Sequence, residues 1–341
     1  MKQRRSWQEV AGIDALNYPV PAHANTIWYS LGGITLCSLI IAFLSGAVLT
    51  QFYNPTPAAA HDSVRFMSEA PLVGLVRGIH YWSANIGFGL LIIHVLRVIF
   101  TGAYRAPRTV NYLVGVLLFS TVFMLYFSGT VLRWDQEAYE ALEHFLETMK
   151  LLGPLGSFFS EEFTLSTSLL ARMYGLHVGI LSGAFIILAV VHLAYVKHFG
   201  ISPKPGQTPE EYEKSKASGH TFLLHMRKLT GYGLILFAVV VGLSYFLTPG
   251  LLNAPVPGVE STKPPWPFWY FYPLEGIMGI SGLLLGSLAV VLALLVIPSL
   301  GLIISSERKR ILVGRIIAGA GLVIWLTLLV ITYFLPVMKH F

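Results

Sequence analysis

Seven apolar stretches, each long enough to cross a lipid bilayer, constrain this chain more than any other feature. A helix needs roughly 20 apolar residues to span the hydrocarbon layer. The stretches lie near residues 28–52, 75–101, 112–132, 169–196, 230–248, 276–301 and 312–336. Only 12% of the residues are charged, against 55% hydrophobic. Because backbone in lipid must satisfy its own hydrogen bonds, the sequence predicts an all-α transmembrane protein with seven spans.

The distribution of lysine and arginine predicts how the chain is oriented. These residues concentrate in alternate loops, which the positive-inside rule places with the N-terminus in the cytoplasm, so we expect an integral protein of a bacterial inner membrane. The net charge of +6 then reflects topology, and nothing indicates nucleic-acid binding. Residues 1–21 are predicted to form an amphipathic helix on the membrane surface. The only cysteine, Cys37, excludes an intrachain disulfide and a cysteine metal cluster.

The loops divide the chain into two halves. The polar segment 203–229 is predicted to link a four-span domain, residues 1–202, to a three-span domain, residues 230–341. On the opposite side, residues 135–168 have the apolar spacing of a helix, and residues 249–275 are rich in proline and aromatic residues.

Four histidines lie inside predicted spans, where ionisable groups are costly. His80 and His94 are 14 residues apart in the second span, which puts them on one helix face about 21 Å apart. His177 and His192 are 15 apart in the fourth span, about 60° beyond four full turns. Both spans run in the same direction, so we expect two facing pairs, His80 with His177 and His94 with His192. Facing imidazoles in a four-helix bundle suit the axial positions of a planar metal cofactor. Haem is favoured over zinc because no carboxylate or thiolate accompanies them.

Glycines and arginines support the same interpretation. Two glycine pairs have the 14-residue spacing of the first histidine pair, and we expect them to clear space for two macrocycles: Gly32 and Gly46 in the first span, Gly115 and Gly129 in the third. Arg77 and Arg97 lie just beyond the two histidine levels and are predicted to pair with haem carboxylates. A proton relay and a transporter with intramembrane histidines are the alternatives, but a relay would require acidic partners that the spans almost lack.

Five segments resemble cytochrome b of the quinol-oxidising bc and bf complexes: "YSLGGITL", "RGIHYWSANIGFGLLIIHVLRV", "TGAYRAPR", "LRWDQEAYEA" and "YGLHVGILSGAFIILAVVHLAYVKHFGIS". The resemblance covers about residues 25–202. It implies two non-covalent b-type haems and a homodimeric assembly with a Rieske iron–sulfur protein and a c-type cytochrome. Quinol would be oxidised at the outer face, and one electron would cross the two haems to a quinone at the inner face. The 15-residue histidine spacing resembles the bf branch, in which the two halves are separate polypeptides.

The resemblance also implies site residues. The Pro-Glu-Trp-Tyr motif of the family reads "PFWY" here, so Phe268 replaces the proton-accepting glutamate. Glu275 follows seven residues later and is expected to take over as proton acceptor. Tyr139 and Tyr270 are expected to line the outer quinol pocket. Lys197 is expected to contact a quinone or a haem carboxylate at the inner face.

Two other positions depart from the family. Ser30 stands where the bf branch has a haem-attaching cysteine, and Cys37 lies seven residues further on, so no covalent haem is expected. Arg133 replaces the usual proline before "WDQ", and the sequence assigns it no role. The altered "PFWY" motif keeps one alternative function open, a di-haem anchor of another quinone-linked oxidoreductase without a Rieske partner.

Overall fold

The chain folds into eleven helices over the part that the structure, a computed structural model, describes: residues 12–337, apart from the side chain of Asp14. They are α1 (Ile27–Leu49), α2 (Ala60–Glu69), α3 (Pro71–Phe100), α4 (Thr109–Val131), α5 (Gln136–Lys150), α6 (Leu169–Phe199), α7 (Pro209–Lys216), α8 (Phe222–Phe246), α9 (Phe271–Met278), α10 (Ser281–Ile303) and α11 (Glu307–Phe334). Short 3-10 turns lie at Ile13–Leu16, Ala22–Asn25, Gly153–Leu155, Ser157–Phe159, Glu161–Phe163 and Trp266–Phe268.

Seven of these helices, α1, α3, α4, α6, α8, α10 and α11, are long and apolar enough to cross a membrane, which confirms the prediction of seven spans. Within residues 12–337 there is no strand, and one isolated antiparallel bridge joins Pro19 to Thr221. Most of the surface helix predicted for residues 1–21 lies outside the described residues. The helical spacing of residues 135–168 corresponds to α5, followed by the 3-10 turns that end at Phe163.

Three predicted span starts differ from the structure by five residues or more: the seventh span begins at Glu307 instead of residue 312, and the fifth and sixth differ for local reasons. The fifth span begins at Phe222, inside the predicted linker 203–229, because the Thr221 hydroxyl caps α8 by accepting a hydrogen bond from Leu224 N. The sixth span begins at Ser281, not at residue 276, because Gly279 adopts φ +62° and interrupts the helix. Glu275 consequently lies in the separate short helix α9.

The spans form two tight helix pairs. In the first pair, α1 packs closely on α3, and the Ser38 hydroxyl donates a hydrogen bond to Ser83 O at 2.9 Å. In the second pair, α4 packs along α6. The two pairs contact each other much less closely, so a gap runs between them.

The three C-terminal spans pack directly against this four-helix arrangement. Helix α8 lies on α1 and α3, where a Cβ on Gly78 would come within 2.8 Å of Ser244 Cβ. Helices α10 and α11 pack on α3 and α4 through a buried cluster that contains Ile99, Tyr112, Leu294, Ile297 and Ala318. The helices of the two predicted domains therefore share an extensive interface. The loop 249–270, α5 and α9 lie at one end of the bundle, on the side of the loops with few lysines and arginines.

Candidate functional site

Four intramembrane histidines face the gap between the helix pairs. His80 of α3 and His177 of α6 approach across it, with ring centroids 6.4 Å apart and ring planes at 79°. His94 and His192, further along the same helices, are close enough to interact electrostatically. The structure thus brings together the two histidine pairs that the spacing predicts.

Hydrogen bonds orient the first pair of imidazoles. His80 Nδ1 lies 2.8 Å from Ala42 O, and because a carbonyl only accepts, Nδ1 carries the hydrogen. His177 Nδ1 lies 2.9 Å from the Ser128 hydroxyl, whose own hydrogen goes to Met124 O at 2.8 Å, so this nitrogen also donates. Both Nε2 atoms are left as ligands, since a metal-bound histidine usually donates its other N–H to a protein acceptor.

A π-helical turn at Leu176–Leu181 resolves the unequal histidine spacings. A π turn accommodates one residue more than an α turn. The turn contains His177, so the 15-residue step to His192 acts as a 14-residue step with one inserted residue. Both histidines consequently face α4, where they lie beside Gly129 and Gly115 respectively.

The glycines make room for the imidazole rings, and that they also clear space for the macrocycles stays a prediction. Each glycine lies against a histidine of the neighbouring helix in its pair. A Cβ built on the glycine would meet the Cε1 atom of that histidine at these distances: Gly32 to His94 2.8 Å, Gly46 to His80 2.9 Å, Gly129 to His177 2.9 Å, and Gly115 to His192 3.5 Å. At three of the four positions a methyl group therefore requires the ring to move.

A cavity of about 710 Å³, the histidine cavity, opens around His80 and His177. Its lining also includes Gly46, Gly129 and Arg133. Two metal–imidazole bonds of about 2 Å each put the ring centres of a bis-histidine site roughly 6 Å apart, in agreement with the 6.4 Å observed. No cluster of three histidine, cysteine or acidic side chains that would hold a small metal ion occurs among residues 12–337. The residues therefore fit a haem better than a bare metal ion.

The arginines near the two histidine pairs differ in whether their guanidinium groups are free to bind an anion. Buried Arg97 stacks on the Tyr29 ring at 3.9 Å, and its Nε and Nη2 have no hydrogen-bond partner within the described residues, as expected for a group that receives an anion. Arg77 lines the histidine cavity, but Nη1 and Nη2 donate to Pro249 O and Gly250 O at 2.8 and 2.9 Å. Arg77 therefore holds the loop 249–270, which competes with its predicted pairing to a haem carboxylate.

Arg133 acquires a role that the sequence did not assign. Its guanidinium lies 2.8 Å from Glu137 and 3.3 Å from Asp135, and its side chain is 22% exposed. Glu137 lines both the histidine cavity and a second cavity, so the ion pair stands in the wall between them. Burial raises the pKa of Glu137, and the Arg133 charge opposes that shift.

The second cavity, of about 520 Å³, lies between α3, α4, α5, α9, α10 and α11 and is called the glutamate cavity. Its lining is almost entirely apolar, and it includes Phe268, Tyr270 and Glu275. Glu275 is 5% exposed, and burial raises the pKa of its carboxyl to about 7. A carboxyl that titrates near neutral pH in an apolar cavity has the properties of a general base.

His144 of α5 is the cavity residue that the sequence did not predict. It lines the glutamate cavity, and its Nε2 lies 3.4 Å from Glu275 Oε1, an ion-pair distance. Its Nδ1 lies 2.7 Å from Glu140 O one turn earlier. The only signal in the sequence is a histidine on an amphipathic helix, which does not identify a partner in α9.

The other predicted residues divide between the cavity and the surface. Buried Tyr270 lines the glutamate cavity, and Phe268 packs edge-on against Phe123 at 5.1 Å. Tyr139 is not among the cavity-lining residues in the described part of the chain, because its ring packs edge-on against Trp134 at 5.7 Å. Lys197 is exposed in the last turn of α6.

Comparison with known proteins matches this arrangement to one family. The sequence profile described as "Cytochrome b(N-terminal)/b6/petB" matches residues 85–255, which include three of the four intramembrane histidines. The chain belongs to the cytochrome b family. Membership leaves the transporter alternative without support.

The relatives of this chain include proteins named cytochrome b6 and cytochrome b subunit. Cytochrome b6 of Heliomicrobium gestii is 35% identical over 194 residues, 55% of this chain and 91% of that protein. The menaquinol:cytochrome c reductase cytochrome b subunit of Geobacillus thermodenitrificans is 33% identical over 203 residues, 58% of this chain and 91% of that protein. A chain of the solved structure "Hyperthermophilic respiratory Complex III" superposes with a TM-score of 0.69 at 22% identity and covers 96% of both chains, which shows the same fold.

Proposed function

We propose that this cytochrome b family member is the di-haem, quinone-binding subunit of a quinol:cytochrome c type oxidoreductase. His80 and His177 would hold one b-type haem, and His94 and His192 the other. Iron held between two histidines changes oxidation state by one electron, and two such centres about 21 Å apart along the helices would carry electrons across the membrane. Arg97 supplies the positive charge for a carboxylate at its level, and Arg133 faces the histidine cavity at the other level.

The observation that carries the proposal is a buried acid in an apolar cavity that shares a wall with the histidine cavity. Glu137 and Pro264 line both cavities, so a quinol in the glutamate cavity would lie next to the His80–His177 level. Glu275 would accept a quinol proton there, in place of the carboxylate that Phe268 lacks. The buried acid also weakens the reason for the alternative anchor function, which rested on the altered "PFWY" motif.

Orientation and partners follow from the same proposal. The positive-inside rule puts the glutamate cavity at the outer face of a bacterial inner membrane and the N-terminus in the cytoplasm. One electron of the quinol would leave through the haems to a quinone at the inner face, near Lys197. The other would leave to a Rieske iron–sulfur protein and a c-type cytochrome, since the single Cys37 packs against Gly233 of α8 and ligates neither centre. We propose a homodimeric assembly on the family resemblance.

Glu275→Gln tests the outer site, because it keeps the size of the side chain and removes its basicity. We expect haem reduction by quinol through the outer site to slow by roughly 10²–10⁴-fold. Both haem spectra, and haem reduction through the inner site, should remain as in the wild type. The measurement is pre-steady-state haem reduction in the purified complex, with each quinone site blocked in turn.

The matched control is Glu147→Gln, which removes an exposed carboxylate of α5 that pairs with Lys150. This variant should keep wild-type outer-site rates. Wild-type rates in Glu275→Gln would show that Glu275 is not the proton acceptor. A purified wild-type protein without two extractable haems would overturn the proposed function as a whole.

A further inference from the structure

The contact between His144 and Glu275 joins two titratable groups in one apolar cavity. Both line the glutamate cavity, and they come from elements on different sides of it, α5 and α9. The side chains are 16% and 5% exposed, so water screens the pair only weakly. The contact therefore places an imidazole nitrogen beside a carboxylate oxygen inside the cavity.

The hydrogen bond on the far side of the imidazole determines which atom faces Glu275. Glu140 O can only accept, so Nδ1 of His144 carries a hydrogen in both protonation states of the ring. In the neutral ring Nε2 is therefore the lone-pair nitrogen, and it points at Glu275 Oε1. A protonated Glu275 could pass its proton to Nε2 once the two side chains approach by a few tenths of an ångström, to hydrogen-bond distance.

Acidic side chains lie around the pair. Glu143 interacts electrostatically with His144, and Glu260 with both Glu275 and Glu143. The other titratable groups that line the cavity are Glu137, Glu140, Tyr270 and Tyr272, and no lysine or arginine lines it within the described residues. Within the described residues, the other ionisable side chains that line the cavity are therefore all carboxylic acids or phenols.

We infer that His144 is the second group in a proton relay at the outer site. It takes from Glu275 the proton that Glu275 has accepted from quinol, an inference that rests on the proposed function. Of the two quinol O–H bonds, the relay takes the proton of one: that bond breaks and an O–H bond forms on Glu275, while the second proton leaves to water and the two electrons go to the haem and iron–sulfur acceptors proposed above. The Glu275 O–H bond then breaks and an N–H bond forms at Nε2 of His144. The imidazolium returns its proton to water past Glu143, which is partly exposed beside the Tyr139 hydroxyl.

His144→Gln provides the test in the intact complex, because glutamine keeps an amide that can hydrogen-bond to Glu275 but does not titrate. We expect outer-site oxidation to slow by at least about tenfold, with both haem spectra unchanged. In the wild type the rate should rise with pH through about 7, as Glu275 becomes a carboxylate. The His144 charge lowers the pKa of Glu275, so the rise should move to higher pH in the variant.

A double-variant cycle separates a relay from two independent effects. If Glu275 hands its proton to His144, the double variant Glu275→Gln with His144→Gln should be about as slow as Glu275→Gln alone. If the rate losses of the two single variants multiply in the double variant, the two residues act independently and the relay is contradicted. The control Glu147→Gln should leave the rate and its pH profile unchanged.

The outcomes distinguish this inference from the proposed function. If Glu275→Gln is slow but His144→Gln keeps the wild-type rate and pH profile, the relay is overturned and the proposed function remains intact. If His144→Gln fails to assemble, an infrared pH titration of the wild-type protein tests the relay instead. The Glu275 carboxyl band is identified as the band that is missing from the spectrum of Glu275→Gln. A band that titrates in one step with the His144 imidazole bands supports the pair, and one that titrates independently of them overturns it.

Discussion

At the residue scale, the chain keeps an acid in its glutamate cavity at a different position from the family motif. Phe268 is 6% exposed and contributes to an aromatic cluster with Phe123, Phe127 and Phe271. Glu275 enters the same cavity from α9, about two helical turns later. The exchange is possible because Gly279 ends α9 and keeps Glu275 outside the following span.

Gly32→Ala should remove the haem at the His94–His192 level. The new Cβ would lie 2.8 Å from His94 Cε1, so the ring must leave its position, and a metal ligand cannot move far without loss of its bond. We expect about one haem per chain instead of two. Pigment extraction and redox titration of the purified variant measure this loss.

Gly115→Ala is the matched control at the same level, because its Cβ would lie at an ordinary 3.5 Å from His192 Cε1. This variant should keep both haems. Equal haem content in the two alanine variants would show that the glycine contacts do not limit ligation.

At the element scale, α5 holds the proline-rich loop 249–270 over the glutamate cavity. The Glu140 carboxylate accepts hydrogen bonds from Ser261 N at 2.8 Å and Thr262 N at 3.1 Å, and also from the Thr262 hydroxyl. Gln136 accepts from Val256 N at 2.7 Å and donates to Val259 O at 2.6 Å. Arg77 holds the start of the same loop from α3.

Glu140→Gln should loosen this loop. Its amide group faces backbone N–H donors, and each buried donor left without an acceptor costs about 1–3 kcal/mol. We expect faster amide hydrogen exchange in residues 253–263 and weaker binding of quinol-site inhibitors at the outer face. Haem spectra should not change, because Glu140 does not line the histidine cavity.

Exchange mass spectrometry of Glu147→Gln provides the comparison on the same helix, because the exposed Glu147 carboxylate pairs with Lys150. That variant should leave the loop as it is. Unchanged exchange in Glu140→Gln would mean that Gln136 and Arg77 suffice to hold the loop.

At the scale of the whole molecule, the two halves should assemble without a covalent link. Helix α8 packs on α1 and α3, and backbone hydrogen bonds join Val20 N to His220 O at 2.9 Å and Phe222 N to Tyr18 O at 2.8 Å. We therefore expect residues 1–205 and 206–341, expressed together, to co-purify with both haems and with outer-site activity. Affinity capture through a tag on one fragment, followed by haem and rate measurements, tests this.

Residues 1–205 expressed alone should still bind haem, since all four histidines lie in that fragment. They should not oxidise quinol at the outer site, because Glu275 lies in the other fragment. Recovery of either fragment without its partner after co-expression would show that the connection is required for assembly.

The sequence predicts the parts of this molecule that depend on local periodicity. Apolar runs identify all seven spans, and the spacings of His80, His94, His177 and His192 predict the facing pairs, because a helix converts spacing into direction. The sequence fails where distant segments dock. His144 meets Glu275 only because α5 lies against α9, and Arg77 is engaged by loop carbonyls that follow a different span.

The π turn at Leu176–Leu181 has a consequence for how relatives of this chain are counted and compared. A helix that absorbs an inserted residue within one widened turn leaves everything beyond that turn in its former orientation. Spacings of 14 and 15 residues between two histidines can then give the same geometry. A search that fixes either number would separate proteins with the same arrangement, and an insertion near His177 during evolution need not have disturbed His192 at all.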